Sequence, residues 1–203
     1  LKNDSLQANI NWNNWGKITN SANITSNIYF LSDSNQNKEV KIEILPSNLV
    51  VNDTLFNIEN GSVLISRYST MLQNIKLVNN DQFVKIWGVI SANNTDTLYI
   101  DLNRINIAYL NLILNDPDFV LNGILSGNVK LFATDAVSVF ESEMLLQEPS
   151  INKKNLGDVN IDAKYLSNEE KILIGLNQNS NNQQMHINGY YLPSHDSIHL
   201  KTI

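Results

Sequence analysis

Apolar and polar residues alternate along most of this chain with a period of two. Leu6, Ala8, Ile10 and Trp12 alternate with Gln7, Asn9 and Asn11, the pattern of a strand with one dry face and one wet face. The same parity runs through residues 18–30, where Ala22, Ile24, Ile28 and Phe30 are the apolar set, and predicts one long strand bent near Asn20. Residues 32–38 form a polar turn. Val40, Ile42 and Ile44 then lead up to Pro46, a residue that a strand tolerates only at an edge or an end. Short strands follow at 49–51, 54–58 and 63–66, with Asn60-Gly61 predicted as a hairpin turn. A second hairpin is predicted at Asn79-Asn80-Asp81, between strands at 71–78 and 83–90.

In residues 97–102 the apolar positions are Leu98, Ile100 and Leu102, after which the parity flips to Ile105 and Ile107. Such a flip requires a bulge or a change of structure, because one slipped residue turns every side chain to the other face. Ile107, Leu110, Ile113 and Leu114 fit a helical spacing, so residues 106–114 are the single helix candidate, ended by Asp116-Pro117. Residues 121–131 return to period two: Leu121, Gly123, Leu125, Gly127, Val129 and Leu131 share one face, and the two glycines are expected to leave it low and open. Further strands are predicted at 136–146, 159–165, 172–176, 185–191 and 198–203, with turns at 152–157 and 177–182. The expectation is an all-β chain: an elongated antiparallel sheet, or an open sandwich with an apolar interior, plus one short helix near 106–114. No linker calls for a second domain. The alternation is still running at His199–Ile203, which reads as one β-rich segment, residues 1–203, cut from a longer polypeptide.

Composition narrows the function classes. Only 17% of residues are charged, while about one residue in six is asparagine, which takes over the solvating role of lysine and glutamate. The net charge is -6, and the densest basic spot is Lys153-Lys154, so nucleic acid and anionic headgroups are poor partners. There is no cysteine, which removes disulfides and thiolate chemistry. No apolar run approaches the roughly 20 residues of a membrane-spanning helix.

Candidate chemistry is sparse. His195 and His199 are four apart, but on a strand that separates them by roughly 13 Å, too far to share an ion; no metal site is expected, and His186 reads as a solvent-facing strand residue. Glu141 and Glu143 share a strand face roughly 6 to 7 Å apart, a spacing a glycosidase can use, although nothing nearby supplies an apolar pocket and a solvated face is the plainer reading. Gly123-Ile124-Leu125-Ser126-Gly127 superficially matches a nucleophile elbow, with its serine one place late and no strand-to-helix turn after it. Sequons at Asn3, Asn23, Asn52, Asn60 and Asn93 are what an asparagine-rich chain yields by chance. The expectation is a protein that is not an enzyme and needs no cofactor.

The order of glycine and apolar patterns from residue 57 onward resembles the TamB family of translocation and assembly module proteins, in its Bacteroidota version related to AsmA-like and DUF490-type repeats. The resemblance is carried by Ile58-x-x-Gly-Ser-Val-Leu-Ile-Ser, Phe83-Val-Lys-Ile-Trp-Gly-Val-Ile-Ser, Asp96-Thr-Leu-Tyr-Ile-Asp-Leu, Leu121-Asn-Gly-Ile-Leu-Ser-Gly-Asn-Val, Leu156-Gly-Asp-Val and Ile187-Asn-Gly-Tyr-Tyr-Leu-Pro. It implies a β-taco-like half-pipe within an inner-membrane-anchored periplasmic protein that provides a groove for phospholipid between the two membranes, with a further link to outer-membrane protein assembly. The implied partners are phospholipid acyl chains and an outer-membrane barrel assembly protein, not nucleic acid; no catalytic residue comes with it. An acyl chain of about sixteen carbons forfeits roughly 12 kcal/mol in water at about 0.8 per methylene, and an apolar route removes most of that barrier. The residues expected to line it are Ile86, Ile90, Leu98, Ile100, Leu102, Leu121, Leu125, Val129, Leu131, Ile161 and Ile174. The competing account of each is plain core packing in a closed sandwich. The runner-up function is a cell-surface adhesin or glycan-binding β-sandwich that uses Asn-rich faces with Trp12, Trp15 and Tyr191.

Overall fold

A computed structural model describes residues 4–14, 18–114, 116, 118–134, 137–166, 168–180 and 183–202. Sixteen strands form one antiparallel sheet: β1 Asp4–Asn13, β2 Ser21–Ser32, β3 Lys38–Ile44, β4 Ser47–Val51, β5 Thr54–Ile58, β6 Gly61–Ile65, β7 Ser69–Asn79, β8 Gln82–Ser91, β9 Thr97–Asn106, β10 Leu121–Thr134, β11 Val137–Ile151, β12 Lys154–Asn155, β13 Asp158–Leu166, β14 Lys171–Ser180, β15 Gln183–Leu192 and β16 Ser197–Thr202. Three pairs of them lie end to end. β3 and β4 run in line along the β5–β6 edge, β5 and β6 run in line along β7, and β12 and β13 run in line along β11. Sixteen strands less three joins leaves thirteen rungs, each hydrogen-bonded to the next in chain order. At about 4.8 Å per rung the sheet is roughly 58 Å long.

Asn60-Gly61, predicted as a hairpin, makes no reversal. β5 passes straight into β6 there, with the Glu59 amide donating to Lys76 O across the join. The reversals fall instead at Asn52-Asp53 and Asn152-Lys153, where both residues have positive φ as a two-residue turn between twisted strands demands. Asn80, at the predicted Asn79–Asp81 hairpin, also has positive φ. Strand β14 extends through Ser180, further than expected. The rest of that turn, residues 181 and 182, lies outside the described residues, as do Trp15, Gly16, Pro117 and Ala136. The helix expected at 106–114 forms as a 3-10 turn, Ile107–Leu110, running into one α turn, Asn111–Leu114.

Bulges keep the dry face dry while the strands bend. In β7 the spacing slips from two to three at Leu72-Gln73-Asn74-Ile75, in β9 at Leu102-Asn103-Arg104-Ile105, and in β11 at Leu146-Gln147-Glu148-Pro149. Asn74, Arg104 and Glu148 all take positive φ there. Each extra polar residue restores the parity of the next apolar one, and each bulge bends its strand. The parity flip after Leu102 is thus a bulge, followed by the helical turn. Groups freed from the ladder find side-chain partners: the Arg104 amide donates to Ser126 Oγ at 2.9 Å, and the Glu148 amide to Asp158 Oδ1 at 2.8 Å. Ser126, in the elbow-like sequence, has this structural job.

The break between β3 and β4 is held similarly. Ser47, 6% exposed, accepts from the Thr25 amide at 3.0 Å and donates to Leu45 O at 2.7 Å. Ser47→Ala leaves both groups unpaired in a half-closed site, and is expected to lower stability by about 1 to 3 kcal/mol. A urea titration followed by tryptophan fluorescence measures it.

Candidate functional site: the apolar face

Register fixes which residues share a face, because directly paired residues point the same way. One transverse row reads Leu6, Ile28, Ile42, Val63, Leu72, Gly88, Leu98, Leu131 and Phe140, one residue per rung. A second runs Ile75, Ile86, Ile100, Val129, Ser142, Ala163, Ile174, Gly189 and Leu200. Only Ser142 interrupts it. The opposite face shows the converse. Its row through Lys76, Lys85, Asp101, Asn128, Glu143, Asp162, Gly175, Asn188 and Lys201 carries no apolar side chain.

All eleven residues expected to line a groove fall on the apolar face. Ile86, Ile100, Val129 and Ile174 share the second row, and Leu98 and Leu131 share the first. Leu102 and Ile161 belong to a neighbouring row, while Ile90, Leu125 and Leu121 follow by alternation along β8 and β10. Leu98 is 5% exposed, Ile90 is 51% exposed, and the other nine are half-buried. In β13 the apolar-face residues Val159, Ile161 and Ala163 are half-buried, whereas their neighbours Asp158, Asn160, Asp162 and Lys164 are exposed. Along β13 the apolar face is therefore the more sheltered side of the sheet, as the inner wall of a trough is.

Very little covers that trough. Among the described residues only Phe56, Ile58, Leu98, Ile107 and Val139 are buried apolar side chains, and none is completely enclosed. The chain exposes 13322 Å². A compact protein of 22.9 kDa exposes about 9,600 Å². The excess is what an uncovered sheet face leaves in water, and it argues against a closed sandwich.

The glycines behave differently from the expectation that they leave space. An added Cβ at Gly127 lies 2.6 Å from Met144 Cα and closer still to the Glu143 carbonyl, and one at Gly123 lies 3.1 Å from Pro149 Cα. The neighbouring strand occupies the volume. Whatever room the face offers comes from the absence of a second layer.

The outer face holds the titratable groups. Glu141 pairs with Lys164 at 2.5 Å, both side chains well exposed, and Glu143, also exposed, borders an open hollow of about 550 Å³ lined in part by Met144, Leu145 and Ile161. Glu43 is held below the usual glutamate range by its hydrogen bond from Lys41, with a further one from Tyr29. His195 lies in a 3-10 turn, Pro193–His195, while the His199 ring stacks on Tyr190. No group of three or more His, Cys, Asp or Glu side chains among the described residues is arranged to hold a metal ion. No described helix is long and apolar enough to cross a membrane. Asparagines form a ladder on this face: Asn11, Asn23, Asn48 and Asn57 stand directly opposite one another across four rungs. The first three border a shallow hollow of about 730 Å³ that Val50 and Leu55 also line. Trp12 and Tyr191 belong to the opposite, apolar face; Trp12 is 53% exposed, while Tyr191 is half-buried with its hydroxyl donating to Asp196 at 3.0 Å.

Nothing in the alternation of residues along the chain marks Tyr109. Its ring meets Phe56 edge-on across the trough, with centroids 5.9 Å apart. Comparison with models of known families, with curated proteins and with solved structures returned no match.

Proposed function

We propose that this chain is a segment of a TamB-like lipid conduit, in which the trough carries phospholipid acyl chains between the inner and outer membranes of a bacterial envelope. The observation that supports it is the pairing of two facts about one surface: apolar rows cross the sheet from rung to rung, and among the described residues no second layer covers them. A protein of ordinary architecture buries such a face to gain about 25 cal/mol per Å²; leaving it in water is a cost that a hydrocarbon guest removes. The guest needs no convergent polar groups. The ordered motifs from Ile58 to Pro193 add the family resemblance and, with it, the periplasmic setting and a link to outer-membrane assembly.

A phospholipid carrying a fluorescent acyl chain tests this. The purified chain is expected to bind it with a blue-shifted emission, and Ile174→Glu is expected to weaken binding at least about tenfold by placing a charge against the guest. Asn188→Glu, on the outer face, leaves binding unchanged. Absence of binding by the unaltered chain sinks the reading. A second reading, a glycan-binding surface module, is favoured by the asparagine ladder and its hollow, which Trp12 also lines; Tyr191, on β15, lies many strands away from it. Binding on a glycan array that Asn48→Ala abolishes decides for it.

A further inference from the structure

We propose that Tyr109 sets where along the trough a hydrocarbon guest is held, by occupying the apolar face at Phe56 so that the guest rests on the open strands beyond it. This rests on the conduit reading and adds the specificity-determining residue to it. Where the other rungs turn back through short loops, the chain leaves β9 at Asn106 and makes its 3-10 and α turns before β10 begins at Leu121. Tyr109 lies in those turns, yet its ring touches Phe56 on β5, with β7 and β8 in between. Phe56 is on the apolar face by register, so a ring that meets it from the end of β9 stands over that face.

Burial marks the place it crosses. Phe56, Ile58 and Ile107, at 6, 8 and 9% exposed, are three of the five buried apolar residues among those described. On the far side Ile174 and Ile187 are half-buried, and Leu200 and Ile198 are 55 and 61% exposed. The strap is also pinned. Asn106 Oδ1 accepts from the Ala108 amide at 2.9 Å, and the Asn111 side chain both donates to Leu121 O at 2.8 Å and accepts from the Leu121 amide at 2.9 Å, as a neighbouring strand does. The Tyr109 hydroxyl reaches Gln82 Oε1 at 3.4 Å. An aromatic ring so held narrows the apolar face at this point, because an acyl chain and the ring need the same surface.

Photocrosslinking locates the guest. A phospholipid with a diazirine in its acyl chain is bound to the purified chain, irradiated, and the labelled peptides are identified by mass spectrometry. Label is expected on the peptides of β13 to β15 and not on β5. In Tyr109→Ala the label spreads to the peptide holding Phe56 and Ile58. Asn111→Ala, which loosens the strap without altering the apolar face, is expected to produce the same spread and serves should Tyr109→Ala fail to fold. Label on β5 in the unaltered chain overturns the proposal, as does an unchanged distribution in the folded variants. Absence of any label overturns the conduit reading along with it.

Discussion

Gly127→Ala is expected to destabilise the chain by about 3 to 5 kcal/mol, a large part of the roughly 10 kcal/mol that holds a domain folded. Two costs combine. Gly127 has φ of +152°, where a side chain is strained, and the strain is of order 1 to 3 kcal/mol. An added Cβ also meets Met144 Cα at 2.6 Å and the Glu143 carbonyl closer still, so two backbones must separate at a point where β10 is hydrogen-bonded to both β9 and β11. Gly175→Ala is the control. The nearest atoms to its Cβ belong to the carboxylate end of Asp162, at 2.5 Å, and its φ is not in the positive region. That side chain rotates away into solvent, so the loss stays within about 1 kcal/mol. Urea midpoints for the two variants measure the contrast, and equal losses would show that backbone approach is not what fixes glycine at 127.

Two neighbouring rows of one face, read in opposite directions, show how far the sequence carried. Leu98, Ile100 and Leu102 announce a dry face by parity alone, and the register puts them beside Leu131, Val129 and Gly127 as alternation requires. The slip from Leu102 to Ile105 was legible because a bulge leaves a polar pair between apolar residues. The Asn60-Gly61 turn was misread for a related reason. Asn-Gly favours positive φ wherever the backbone needs it, but the hairpin also requires the flanking strands to pair with each other, and here Ile58 pairs with Ser47 and Leu77 while Gly61 pairs with Ile44. That choice is long-range, so local chemistry could not reveal it. Tyr109 was hidden in the same way: the helical spacing placed its segment correctly, but only tertiary geometry brings Phe56 to it. The glycines at 123 and 127 were seen as special and given the wrong reason, since absence of a side chain reads identically in sequence whether it leaves a void or admits a neighbouring strand.

Leu98→Ala and Ile198→Ala are expected to differ several-fold in cost although both residues stand on the apolar face. Leu98 is 5% exposed between Gly88 and Leu131, and truncating a buried leucine removes about 2 to 4 kcal/mol through lost transfer energy and the cavity left behind. Ile198, paired with Tyr191 on β16, is 61% exposed, and its truncation falls within about 0.5 kcal/mol. Ile174, half-buried, lies between them. A graded series of this kind is the thermodynamic signature of a trough, in which the same side-chain type passes from packed at mid-sheet to wetted toward β16. A closed sandwich produces no gradient, because its inner residues are all desolvated. Thermal midpoints of the three alanine variants, recorded with and without an acyl ligand, separate the cases. An Ile198→Ala loss equal to that of Leu98→Ala without ligand shows the face already covered in solution and leaves no surface for a guest. A penalty at Ile174 that grows when ligand is added places the guest against that side chain.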